Sequence, residues 1–266
     1  MAHINYKNKK VFYEVFGNGP PIVYVHEWSN SSRYFKKVNL KYFIQKFSVV
    51  IIDLPGYGQS EFLPEIKFDD FSHIVLDIVN ELKLDKVIIM GFCLGANISL
   101  DFTAKNPDRV NNMIIIEPTL KFPLVLYFLF LPLIGKYLYH FVTKNKFGFH
   151  IFSSVMVGKD KIKKKILHSS VKTSTYAISY TYLKALNSYG NRVKNKLFES
   201  IYIDTLCIQG ENTLKFFADF SSKMHHFIHN STLVIIKGGK HYLFAERPRE
   251  TYEVINNYIQ KKGSII

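Results

Sequence analysis

Cys93 stands between two glycines in Gly91-Phe92-Cys93-Leu94-Gly95, directly after the apolar run from Val87 to Met90. A thiol so placed can attack a carbonyl carbon and form a covalent thioester. The reason for the spacing is steric. A nucleophile carried on a tight strand-to-helix turn has a strained backbone, and small residues two positions before and after it let strand and helix pass close together. Val87 to Met90 read as a buried parallel strand, and Leu94 through Lys105 carry the apolar spacing of a helix that ends at Asn106-Pro107. Cys93 is then expected at a helix N-terminus, where the partial positive charge favours the reactive thiolate. On its own, G-x-C-x-G also suits a buried structural cysteine, so the rest of the chain must decide.

After an opening hairpin, apolar runs near residues 22–25, 49–52, 87–90, 113–116, 205–209 and 232–236 alternate with helical stretches. That order implies a mostly parallel, doubly wound α/β sheet with its functional groups beyond the carboxyl ends of the strands. Glu27, Cys93, Glu117, Glu211 and His241 all fall at such ends. Between Pro118 and about Glu199 the pattern changes. The run from Phe122 to Ile134 is strongly apolar, yet it is short for a bilayer span and broken by Pro123 and Pro132. Peripheral contact with a membrane is the functional alternative for this run. Aromatics then recur at Tyr137, Tyr139, Phe141, Phe147, Phe149, Phe152, Tyr176, Tyr180, Tyr182 and Tyr189.

A hydrophobic content of 47% with 21% charged residues, over 266 residues, fits a soluble globular chain with one core. The first residues lack the apolar centre of a signal peptide, so a cytoplasmic location is expected. Two cysteines build no disulfide framework, and Cys207 in Thr205-Leu206-Cys207-Ile208 reads as a buried strand residue. The net charge of +14 could favour an anionic partner, but the lysines are scattered. The one dense run, Lys159 to Lys165, reads as a solvated helix face or as a surface for a carrier or a phosphate. No zinc finger or aromatic RNA-binding signature occurs, so nucleic acid is not expected as a partner. His225 and His229 have helical spacing but no third ligand, so no metal is expected, and no cofactor motif is present.

Four segments, taken in order, resemble the α/β-hydrolase fold family. Ile4 to Gly17 looks like its opening hairpin, and Pro20 to Val25 followed by His26-Glu27-Trp28 looks like the strand and loop that carry its oxyanion hole. Asp53-Leu54-Pro55-Gly56-Tyr57-Gly58-Gln59-Ser60 matches its D-x-P-G-x-G-x-S turn, and Gly238-Gly239-Lys240-His241-Tyr242 matches the loop that delivers its histidine. The resemblance implies a hydrolase core from residues 1–117 and 200–266, with 118–199 inserted as a helical cap (lid) over Cys93. A cap lined by those aromatics would enclose an apolar pocket. It further implies Cys93 as nucleophile, His241 as base, and the backbone N–H groups of Leu94 and Trp28 as the oxyanion hole. His26 is expected to tie down its loop.

Three departures from the family pattern stand out. Cysteine replaces serine, and a thiol needs less help from a base. Thr213 stands where an aspartate is usual, so the pair is a Cys-His dyad or is completed by another carboxylate, with Glu117 preferred to Glu211. Glu27 replaces the usual glycine, although a carboxylate there repels developing negative charge. The dienelactone hydrolases, cysteine members of the same fold, are similar in their elbow and in a glutamate just before an oxyanion-hole residue. That similarity implies that Glu27 holds the Cys93 thiol until substrate displaces it; the other reading has Glu27 facing solvent.

The expected activity is hydrolysis of an ester or thioester with an apolar acyl group, free or carrier-bound, through a Cys93 acyl-enzyme. Transfer or cyclisation through the same intermediate remains open. So do a non-catalytic binding protein and a lyase using His241 as base.

Overall fold

The computed structural model describes residues 2–119, 128–131, 133–159, 161–171, 174–193 and 195–263, so most of the apolar run at 122–134 lies outside the described residues. The strands are β1 (Ala2–Tyr6), β2 (Lys9–Phe16), β3 (Pro21–Val25), β4 (Ser48–Ile52), β5 (Val87–Phe92), β6 (Val110–Ile116), β7 (Thr205–Gly210) and β8 (Ser231–Ile236). They form one sheet in the order β1-β2-β4-β3-β5-β6-β7-β8. β2 pairs antiparallel with β1 and β4, and every later pairing is parallel. The β1–β2 hairpin turns on Lys7 and Asn8, both at positive φ, as a two-residue turn of matching twist requires.

The helices are α1 (Ser32–Val38), α2 (Leu40–Phe43), α3 (Phe68–Glu81), α4 (Leu94–Lys105), α5 (Gly135–Lys144), α6 (Lys146–Val157), α7 (Lys161–Val171), α8 (Tyr176–Arg192), α9 (Asn195–Glu199), α10 (Lys215–Phe227), α11 (Leu243–Glu246) and α12 (Pro248–Gly263). Strand alternation divides the core into two layers. Val23, Val25, Val50, Ile52, Val87 and Ile89 face the side packed by α3 and α4. Ile22, Tyr24, Val49, Ile51, Ile88 and Met90 face Phe35 of α1, Phe43 of α2 and Ile255 of α12. Burial on both faces is why these strands read as continuous apolar runs rather than as an alternation.

Between β6 and β7 the chain builds α5 to α9. Asn145 starts α6, its side chain accepting from Phe147 N and Gly148 N. A Cβ on Gly148 would lie 2.2 Å from the Phe141 carbonyl oxygen, so glycine lets α6 cross against α5. α8 docks on the core through Tyr182, whose hydroxyl donates to the Pro55 carbonyl at 2.7 Å, and through Tyr189, stacked on Phe68 at 4.0 Å.

Candidate active site

The turn at Cys93 has the geometry its glycines demand. Cys93 has φ 52° and ψ −107°, outside the ordinary regions for an L-residue. A Cβ on Gly91 would sit 2.1 Å from the Gly95 carbonyl oxygen, and one on Gly95 would sit 2.0 Å from that of Val25. β5 and α4 therefore approach as closely as backbones can. Beyond their ends, β5 and β6 keep the sheet's register: Cys93 N–H donates to the Ile116 carbonyl at 2.8 Å, and Glu117 N–H donates to that of Ile208 at 3.0 Å. The thiol and the carboxyl are thus held by the ladder itself.

The thiolate expected at this helix start is not the favoured form. Burial pushes the Cys93 thiol well up, and the negative charge of Glu27 adds to it. The Leu94 backbone N–H, hydrogen-bonded to the thiol, pulls the other way but is outweighed, and Glu117 raises it further. Desolvation of an anion exceeds what one N–H and a helix end return.

His241 is buried, and its Nδ1 lies 3.2 Å from Glu117 Oε2. A carboxylate only accepts, so Nδ1 carries the proton and Nε2 is the basic nitrogen. Glu117 is fully buried, with Oε1 accepting from Gly210 N–H at 2.7 Å and Oε2 from the Thr213 hydroxyl at 2.6 Å. Glu211 lies elsewhere: it is exposed and its Oε2 accepts from Gly238 N–H at 2.8 Å. Phe217 stacks on the imidazole at 3.9 Å between centroids and fixes the plane of the ring.

After β3, His26 Nδ1–H donates to the Glu27 carbonyl at 2.7 Å while its Nε2 accepts from Leu54 N–H at 3.0 Å. Both ring nitrogens are used in joining two loops, and burial lowers the affinity of the ring for a second proton. Asp53 accepts from Ser32 N–H at 2.6 Å and Gln59 N–H at 2.9 Å, and a Cβ on Gly58 would strike its carboxylate. Glu27 does not face solvent. It is 1% exposed, accepts from the Tyr24 hydroxyl at 3.2 Å and from Asn30 Nδ2, and has its carboxyl pushed up to about 7 by burial.

Glu27, Trp28, Cys93, His241 and Tyr242 share one cavity of about 500 Å³. Its remaining lining is apolar: Leu129, Phe141, Val142, Gly148, Ile151, Phe152, Val155 and Met156 from the segment after β6, with Leu214, Phe216 and Phe217 from the segment after β7. Of the recurrent aromatics in the α5–α8 segment, Phe141 and Phe152 line it. Tyr139, Tyr182 and Tyr189 are buried instead in packing, whereas Tyr137 and Phe147 are exposed. Sequence reasoning missed Phe216 and Phe217, although their place just after the β7 end is a signal for them. The helical spacing read for His225 and His229 is not realised, because α10 stops at Phe227; His229 stacks on Tyr202 and His225 Nδ1 meets Ser231 Oγ. Cys207 is a fully buried strand residue.

Among known proteins, the sequence profile of the alpha/beta hydrolase fold matches residues 20–147. The chain is 29% identical over 112 residues to a pimeloyl-[acyl-carrier protein] methyl ester esterase of Chromobacterium violaceum, 42% of each chain. It is 23% identical over 229 residues to a putative esterase/lipase of Haemophilus influenzae, covering 82% of this chain and 76% of the relative. In structure it matches an esterase from Exiguobacterium antarcticum with TM-score 0.82 and 17% identity, over 97% of this chain and 98% of that one. It also matches the enol-lactonase from Burkholderia xenovorans with TM-score 0.79 and 14% identity, over 97% and 100%. The sheet order, the strained turn at Cys93 and these likenesses together establish that the chain has the α/β-hydrolase fold.

Proposed function

We propose that this protein is an enzyme that hydrolyses esters or thioesters of an apolar acyl group through a covalent Cys93 acyl-enzyme. The observation that carries the reading is the buried pairing of His241 Nδ1 with Glu117, on a histidine that shares an apolar cavity with Cys93. His241 Nε2 takes the thiol proton as Sγ attacks the carbonyl carbon, so that the thiol ionises only as it reacts. The backbone N–H groups of Leu94 and Trp28 receive the oxyanion. As the tetrahedral intermediate collapses, the bond to the leaving oxygen or sulfur breaks, and that atom takes the proton from the imidazolium. Water, deprotonated by Nε2, then attacks the thioester and releases the acid and the thiol. Residues 118–199 act as a lid over this site, and Glu27 shapes the reactivity of Cys93 by its charge. The acyl group is free or attached to a carrier; the relative named for a carrier-bound methyl ester supports the second form.

Intact-protein mass spectrometry after exposure to aryl esters and acyl thioesters tests the mechanism. An acyl adduct on the parent, absent from Cys93→Ala and slow both to form and to clear in His241→Ala, is the expected result. One observation favours a second reading: burial and Glu27 both oppose ionisation of the thiol, which suits a lyase that uses His241 as base while Cys93 only lines the cavity. Activity retained in Cys93→Ala would establish that alternative.

A further inference from the structure

The lysines are scattered along the chain, but the net positive charge is concentrated in one segment. Of its 35 Lys and Arg, 14 fall within residues 118–199, which hold 2 of its 21 Asp and Glu, namely Asp160 and Glu199. Large apolar side chains of the same segment stand in water: Leu133 is 91% exposed, Tyr137 76% and Phe147 67%. On α5, Tyr137 and Phe141 are four residues apart; on α6, so are Phe147, Ile151 and Val155, all exposed. That spacing makes one stripe on each helix. The rings of Phe141 and Phe147, 6.4 Å apart, join the two stripes. Lys136 and Lys146 are exposed on the same two helices. Phe141, Ile151 and Val155 also line the cavity that holds Cys93, so the apolar surface runs into the pocket.

We propose that this face of α5 and α6 docks on an anionic lipid bilayer, with the apolar stripes in the headgroup boundary and the lysines on lipid phosphates. Exposed apolar stripes set among lysines are what such a boundary accommodates, since it supplies an apolar layer and negative charge at once. A second copy of the chain would bring two strongly basic segments together, which like-charge repulsion opposes. An acidic soluble protein would answer the lysines but gives no reason for aliphatic and aromatic side chains to stand in water. No helix among the described residues is long and apolar enough to cross a membrane, so the contact is peripheral. An acyl substrate dissolved in the lipid then enters the cavity without crossing water. The proposal goes beyond hydrolysis and does not depend on the role of Cys93.

Flotation of the whole protein with vesicles tests it, comparing phosphatidylcholine alone with phosphatidylcholine plus phosphatidylglycerol. The anionic vesicles should carry the protein at least about tenfold better, less so in high salt. Tyr137→Ser with Phe147→Ser, and separately Lys136→Gln with Lys146→Gln, should each lower partition about tenfold. Both pairs replace exposed side chains, so unchanged melting temperatures verify folding. Cys93→Ala should float as the parent does. The proposal is overturned if the anionic vesicles do not bind, or if the aromatic pair changes nothing, since a basic protein then merely adsorbs. It is equally overturned if the aromatic pair dissociates a dimer, or releases an acidic acyl carrier protein, while vesicle binding stays the same.

Discussion

The hydroxyl of Thr213 donates to Glu117 Oε2 at 2.6 Å, on the oxygen that also faces His241 Nδ1. The residue standing in place of the usual acid thus supports the carboxylate that meets His241 from the neighbouring strand end. Three groups converge on Glu117: Gly210 N–H, Thr213 Oγ and His241 Nδ1. The carboxylate orients the imidazole, and an amide in its place can donate to Nδ1 and select the wrong tautomer. Glu117→Gln should therefore lower kcat about 10²- to 10⁴-fold with KM little changed. Thr213→Val removes one hydrogen bond to a charged group and should cost about 2 kcal/mol of stability, with a milder loss of kcat. Steady-state kinetics and chemical unfolding of both variants and their double mutant measure this, and equal losses of kcat in the two singles would refute the division of roles.

Gly95 gives the strictest test of the turn. A methyl group there meets the Val25 carbonyl at 2.0 Å and that of His26 at 2.8 Å, and both are backbone atoms that cannot swing aside. Gly95→Ala should destabilise by about 3 kcal/mol or more, the upper end for overpacking, or prevent folding altogether. A melting temperature close to that of the parent would contradict the close approach of β3 and α4.

Glu27 should make stability depend on pH. Burial lifts its carboxyl from 4.5 to about 7, so the folded state holds the proton more tightly than the unfolded one. The resulting stabilisation is complete below pH 4.5 and is lost as pH rises through 7. Between those limits the parent should lose about 3 kcal/mol that Glu27→Gln does not lose. Denaturant unfolding of both proteins across this range gives the difference directly; a difference independent of pH would mean that Glu27 does not titrate there.

The same substitution should act on the thiol. Negative charge at Glu27 raises the Cys93 pKa, so removing it in Glu27→Gln should lower that value and speed alkylation by iodoacetamide at neutral pH. Cys207, pushed up to about 12 by burial in β7, is the internal reference and should stay unlabelled. Peptide mapping of the alkylated protein separates the two sites. An unchanged rate at Cys93 would remove Glu27 from any control of the thiol.

What the sequence revealed and what it concealed divide along a physical line. The parallel strands, the turn at Cys93 and the Asp53 to Ser60 turn were legible because their demands are local: continuous apolar runs, and glycine where a backbone comes within contact. Glu117 was legible from its place at the end of β6. Its hydrogen bond with Thr213, 96 residues away, was not, because pairing between strand ends is fixed only by tertiary register. Periodicity also gave no measure of desolvation, so the helix start suggested a thiolate where burial keeps a thiol. Helical spacing likewise could not separate Phe141, which lines the cavity, from Tyr139, which packs within the core.

Taken as the acyl site, the cavity predicts a dependence on chain length. It offers about 500 Å³ with an almost wholly apolar lining, so each added methylene should gain about 0.8 kcal/mol, or about fourfold in kcat/KM, until the space is filled. Met156→Trp, reaching into the cavity from α6, should shift the optimum to shorter acyl chains while leaving the acetyl ester little affected. A series of p-nitrophenyl esters of increasing chain length reads both effects. If kcat/KM does not vary with chain length in the parent, the acyl group does not occupy this cavity, and the apolar lining then serves the leaving group or another ligand.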